Sequence, residues 1–180
     1  MMKKYRDTLV FILRAIIFIT IIALFTHEHN RPVYALSDAE IISYMSKLTN
    51  VPTFCQYRMA ETTFRNDADG GRSWPPLFTK ERNKWMNIVG VQNWTYVHHY
   101  CFGVREYNEY SAMDYNNRSK HKKHKMTRAL EEFEFMRKAQ ISNFPFMHEL
   151  FRYESLIYAE LGNFEKSQWA FKQSLKYRRK

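Results

Sequence analysis

Residues 93–112 read NWTYVHHYCFGVREYNEYSA, and their spacing restricts the fold more than anything else in the chain. Trp94, Val97, Cys101, Val104 and Tyr107 or Asn108 return at intervals of three and four, the period of one helical face. No stretch of useful length alternates with period two, so no strand is predicted. Only five glycines and five prolines are spread over 180 residues, too few for the many tight turns of a β-sandwich. Aromatic residues make up 17% of the chain, enough large side chains for one real core. The expectation is an all-α domain.

The first 35 residues stand apart from that pattern. Lys3, Lys4 and Arg6 precede an apolar stretch from Leu9 to Phe25 that only Arg14 interrupts. The uninterrupted run, Ala15 to Phe25, is short for a bilayer span. Arg14 inside a spanning helix would cost about 2.5–3.5 kcal/mol. Val33 and Ala35 sit at the −3 and −1 positions of a cleavage site before Leu36. Residues 1–35 therefore read as a secretory signal; the competing reading is an uncleaved membrane anchor, which would make the chain an accessory subunit of a membrane complex with residues 9–25 packed against another spanning helix. Either way the basic N-terminus stays in the cytoplasm and the rest is exported, which predicts a periplasmic protein or one anchored in the inner membrane and facing the periplasm.

The formal charge is +10; without residues 1–35, 23 cations face 16 anions and +7 remains. For an exported chain that excess points away from nucleic acid. It points toward anionic polysaccharide, lipid headgroups or an acidic face of an envelope protein. The two cysteines, Cys55 and Cys101, form an even set. In an oxidising compartment they are expected to bridge, closing a loop worth about 4 kcal/mol in the chain-entropy model; two free buried thiols are the alternative.

Residues 36–180 read as one helical domain. Ser37 and Glu40 form a capping box ahead of Ile41, Ile42, Met45 and Leu48. A second helix runs from Thr53 to about Phe64, and residues 65–76, with Gly70-Gly71 and Pro75-Pro76, read as a loop. A third helix ends at Gly90 and the stretch quoted above is the fourth. Residues 116–125, NNRSKHKKHK, read as a polar basic connector, followed by a helix carrying Leu130, Phe133 and Met136 or Arg137. After a break at ISNFP, two last helices join at Gly162-Asn163.

Residues 150–176, LFRYESLIYAELGNFEKSQWAFKQSLK, resemble a tetratricopeptide repeat, a helix pair with small residues at its crossing and Gly or Asn in its turn. With Gly162 in the turn, Phe151 and Tyr158 take the large positions of the first helix. Phe164, Phe171 and Leu175 follow in the second, and Ser155, Ser167 and Ser174 stand where small residues are usual. Ala129, Phe133 and Met136, with Gly103 near their crossing, form a more degenerate copy. The resemblance implies a short solenoid of stacked antiparallel helix pairs: an irregular cap at 36–92, a degenerate repeat at 93–143 and a C-terminal pair at 144–180. It also implies a non-enzymatic scaffold holding a protein partner in a groove, with Tyr153, Tyr158 and Trp169 as groove residues.

Three sets of residues carry chemistry. Arg118, Lys120, Lys122, Lys123 and Lys125, with His121 and His124 among them, form a basic segment suited to anions; its bland reading is a solvated loop. His98 and Cys101 share a helical stripe, and with Cys55 they could form a Cys₂His site for zinc or copper. The adjacent His99 points about 100° away and cannot join them. No second CxxC or HxxxH supports such a site, so no metal or other cofactor is expected and the histidines are read as structural. Nothing selects a base or an oxyanion donor for a thiol nucleophile.

Overall fold

The computed structural model of the chain describes residues 37–65, 74–139 and 143–178, all within one compact unit that begins at Ala35. The expected secretory signal or anchor lies outside these residues. Within them the fold is all-α, and no described helix is long and apolar enough to cross a membrane.

Helix α1 (Asp38–Met45) starts on the expected capping box: Ser37 Oγ accepts from the Glu40 amide at 3.2 Å, and Glu40 accepts from the Ser37 amide at 3.0 Å. Helix α2 (Thr53–Thr63) buries Phe54, Cys55, Arg58, Met59 and Ala60. Pro76 opens α3 (Pro76–Val89), where a missing amide hydrogen costs nothing. Gly90 then turns the chain at φ 93°, a left-handed value that a side chain would strain. Asn93 donates to the Val89 carbonyl at 2.7 Å and closes the same corner.

Helix α4 (Val91–Ala112) is the axis of the molecule. It touches α2, α3, α5 and α6, and it buries Trp94, Val97, Tyr100, Cys101, Gly103, Val104 and Tyr110 around most of its circumference. Cys101 is bonded to Cys55 across a Cα–Cα distance of 5.3 Å and a sequence separation of 46, which fixes α2 against α4.

Helix α5 runs from Tyr115 to Lys138, and here the structure corrects the sequence reading. Residues 116–125 are the first turns of this 24-residue helix, not a connector. The turn is only Met113-Asp114: the Asp114 carboxylate caps α5 by accepting from the Asn117 amide at 3.0 Å. Arg118 reaches back to the carbonyls of Ser111 at 2.7 Å and Met113 at 3.1 Å, satisfying the end of α4. Antiparallel to α4, α5 crosses it where Gly103 meets the ring of Phe133.

Helices α6 (Met147–Glu160) and α7 (Phe164–Arg178) form the second, shorter hairpin. Gly162, at φ 77°, lets its own amide reach the Ala159 carbonyl and the Asn163 amide reach that of Tyr158, a Schellman close. Asn163 then caps α7 by accepting from the Lys166 amide at 3.1 Å. Ser167 Oγ donates to the Ser155 carbonyl at 2.9 Å, so two of the three serines noted above sit at the helix crossing. Helix α6 lies beside α4 and runs the same way, since Tyr100, Tyr107 and Tyr110 meet Glu149, Tyr153 and Glu160 in order. The main core thus lies between α2, α4, α5 and α6, and a smaller one joins Ile41, Ala60 and Phe78.

Candidate functional site

The parallel course of α4 and α6 leaves a cleft between them of about 330 Å³, lined by Tyr107, Tyr110, Ser111, Arg118, Leu156 and Glu160. Its polar groups are held by each other. The Tyr110 hydroxyl donates to Glu160, and Lys122 lies 3.5 Å from the same carboxylate. Burial and this bond push the Tyr110 phenol up to about 12, while the hydrogen bond from Tyr110 and the nearby Lys122 ammonium hold Glu160 below the usual carboxylate range. The Arg118 guanidinium stands 5.6 Å over the Tyr110 ring. Leu156, 43% exposed, supplies an open apolar contact.

The basic segment is divided by the helix it forms. Arg118 and Lys122 serve the cleft, and Lys125 turns to α4, 2.8 Å from Glu106 and also bonded to Glu109. Lys120 and Lys123 remain exposed. The charges do not hold a loop open; glutamates from α4 and α6 answer two of the five, Lys122 and Lys125, across the helix contacts.

Tyr153, Tyr158 and Trp169, the aromatics expected at a groove, each have their own packing partners. Tyr153 is half-buried against Tyr107 at 5.3 Å and Phe133 at 5.9 Å, as part of the α4–α5–α6 core. Tyr158 lies beneath Lys166, and Trp169 packs edge-on against Phe151 with Arg137 at 5.8 Å. A 14-residue helix turns by about 140° between positions 153 and 158, which separates them.

The His-His-Tyr-Cys run is structural. With both sulfurs in the bridge, neither Cys55 nor Cys101 is a thiolate for a metal or a nucleophile. His98 bonds to the Thr95 carbonyl at 3.0 Å, and burial, followed by the charges of His99 and Arg58, lowers it to about 4. His99 stacks on Phe135 at 3.8 Å and bonds Glu132 at 2.6 Å. Tyr100 is fully buried and donates to Glu149 at 3.0 Å. Among the described residues no group of three or more His, Cys, Asp or Glu is arranged to hold a metal ion.

Two buried charge centres were not read from the sequence. Glu61 accepts from Arg58 at 2.9 Å, from Arg82 at 3.0 Å and from the Trp94 indole at 2.7 Å, tying α2, α3 and α4 together. Only the Arg58–Glu61 spacing of three was a visible signal. Glu154, 0% exposed, accepts from Arg137 at 2.9 Å through Oε1, while Oε2 has no hydrogen-bond partner among the described residues. Burial raises its carboxyl to about 7, against the opposing pull of Arg137.

Comparison with protein-family models, with curated proteins and with solved structures gives no match for this chain.

Proposed function

We propose that this protein is a non-enzymatic helical-repeat scaffold, exported to the bacterial cell envelope, that holds a segment of an envelope protein in the cleft between α4 and α6. The observation that carries the reading is the side-by-side, parallel course of α4 and α6 with α5 and α7 packed behind them. Stacked hairpins of this kind present their first helices as one continuous surface. The likeness of residues 150–176 to a tetratricopeptide repeat supports the same reading, although α4 and α5, at 22 and 24 residues, are longer than α6 and α7, at 14 and 15. Export is supported by the leader-like composition of residues 1–35 and by the bridge between Cys55 and Cys101, a bond that persists in oxidising compartments. Lys120 and Lys123, exposed on α5, add attraction to anionic polysaccharide or lipid headgroups near the partner.

A photo-reactive phenylalanine analogue placed at Ser111 or Leu156 in the cell tests this. It is expected to cross-link one defined envelope protein, while the same group at Thr127, exposed on α5, does not. Equal labelling from all three positions, or none from the cleft, would overturn the scaffold reading.

A further inference from the structure

Helices α5 and α7 carry large and small residues in the same register. Met126, Ala129, Phe133 and Met136 on α5 repeat the spacing of Phe164, Ser167, Phe171 and Ser174 on α7. Their environments differ. All four on α5 are 0% exposed, because α4 covers them from one side and α6 from the other: Phe133 touches Gly103 and Tyr100 on α4 and stacks on Tyr153 of α6. On α7, Phe164 is 68% exposed, Phe171 is 52% and the neighbouring Leu175 is 42%. These three fall within about 40° of each other around α7 and form an apolar stripe roughly a quarter turn around the helix from the buried Ala170 and Ser174.

The stripe is flanked by cations. Lys172 and Lys176 follow on one side and Arg178 on the other, while Glu165, near the N-terminal end, is the sole acidic residue of α7. Inside the molecule, α6 shows what such a surface receives. It seats on α4 and α5 with its glutamates against their polar groups: Glu154 on Arg137 and Glu160 on Lys122 and Tyr110. A second copy of this chain packed α7 to α7 in parallel would bring Lys172, Lys176 and Arg178 against the same cations, and packed antiparallel it would offer them only Glu165, so an acid-rich helix complements the face better than the chain itself does.

We propose that the outer face of α7 is a docking surface for an acidic-rimmed amphipathic helix of a partner protein, seated on Phe164, Phe171 and Leu175 much as α6 is seated on α5. This rests on the scaffold reading and adds to it a second surface and the chemistry of what binds there.

The probe is a synthetic peptide with the α6 sequence, Met147 to Glu160, held helical by a staple joining positions 152 and 156, both exposed on α6. It is titrated into the full isotope-labelled chain and followed by amide chemical shifts. Saturable shifts are expected along 164–178, with binding at least tenfold weaker for K172E/K176E and lost in F171E. A peptide carrying Lys in place of Glu149, Glu154 and Glu160 should bind at least tenfold more weakly. F164E provides a second variant at a more exposed site should F171E disturb the fold by circular dichroism. Shifts absent from α7, or equal affinity for the charge-reversed peptide, would overturn the proposal. So would self-association in sedimentation that F171E abolishes, which would assign the face to a second copy, or binding to phosphatidylglycerol vesicles that F171E abolishes, which would assign it to a bilayer. Intact cross-linking from Ser111 and Leu156 beside a failed titration removes the α7 surface alone; loss of that cross-linking removes the scaffold reading itself.

Discussion

Gly103 and Phe133 occupy each other's only space where α4 crosses α5: a Cβ on Gly103 would lie 2.5 Å from the Phe133 ring. Phe133 is fully buried among Tyr100, Tyr153 and the α4 backbone, so its ring has nowhere to retreat. Gly103→Ala is expected to destabilise the fold by about 1–3 kcal/mol through overpacking. In a chain of this size that lowers the melting temperature by several degrees. The companion variant G103A/F133L should recover part of the loss, because the smaller side chain makes room for the new methyl. Thermal unfolding followed by circular dichroism reads both, and an unchanged midpoint for Gly103→Ala would show that the two helices do not meet there.

The Cys55–Cys101 bridge closes a loop of 46 residues, for which chain entropy assigns about 4 kcal/mol. C55S/C101S is expected to unfold at a markedly lower urea concentration than the oxidised protein, and reductant should move the oxidised protein to the same midpoint. Both sulfurs are 0% exposed, so reduction should require unfolding and be slow in native buffer. Coincident urea curves with and without reductant would mean that the bridge is not formed.

Glu154 gives the fold a pH dependence of a definite sign. Its carboxyl rises from an ordinary 4.5 to about 7 in the folded chain, chiefly because it is buried, with Arg137, Glu134 and Tyr158 as the titratable neighbours. The protonated form is therefore favoured by folding. The stabilisation is full below about pH 4.5 and is lost as pH rises through about 7, at most about 3 kcal/mol. Glu154→Gln should remove this slope and leave the protein at least as stable at pH 8. His98, lowered to about 4, acts oppositely: its contribution is present above about pH 6.5 and lost as pH falls toward 4. Urea midpoints from pH 4 to 8 for the parent, Glu154→Gln and His98→Asn separate the two. A loss of parent stability between about pH 6.5 and 8 that persists in Glu154→Gln would reject the assignment.

Lys125 joins the two turns of α4 that carry Glu106 and Glu109 to α5. Neighbouring carboxylates raise its ammonium above the usual lysine range, against the opposing effect of burial. Lys125→Met is expected to cost about 1–3 kcal/mol because it leaves the largely buried Glu106 with only the more distant Arg105, at 3.7 Å, as a cation. A double-mutant cycle with Glu106→Gln should give a coupling of about 1 kcal/mol or more. Neutralising Lys120 and Lys123, both exposed, should stay within about 0.5 kcal/mol. Equal losses at Lys120 and Lys125 would remove the structural role given to Lys125.

Local signals in the sequence are strong where a residue acts on its own neighbours. The Ser37–Glu40 box, the spacing along α4, the Gly162-Asn163 turn and the Gly103 crossing are of this kind, and each is found where expected. The pairing of the two cysteines was also legible, since only one pairing exists. What escaped the sequence depends on partners from distant segments. Residues 116–125 looked like a repelling run of cations, because the glutamates that answer Lys122 and Lys125 lie on other helices, up to 38 positions away along the chain. The large ring of Tyr153 is visible in the sequence, whereas its packing against Tyr107 and Phe133 is not. Glu154 falls on the same helical stripe as Leu150, Phe151 and Ile157, but a carboxylate there reads as a solvated residue, and the Arg137 that meets it lies on another helix.

The covalent tie between α2 and α4 has a consequence for how this protein would respond to proteolysis. Any single protease cut between Cys55 and Cys101 would yield two polypeptides that remain stitched together, and their severed ends would still be held by the shared interior around Phe54, Met59, Val97 and Tyr100. Damage of that kind would leave the apparent mass on a non-reducing gel unchanged and become visible only when the sulfurs are parted.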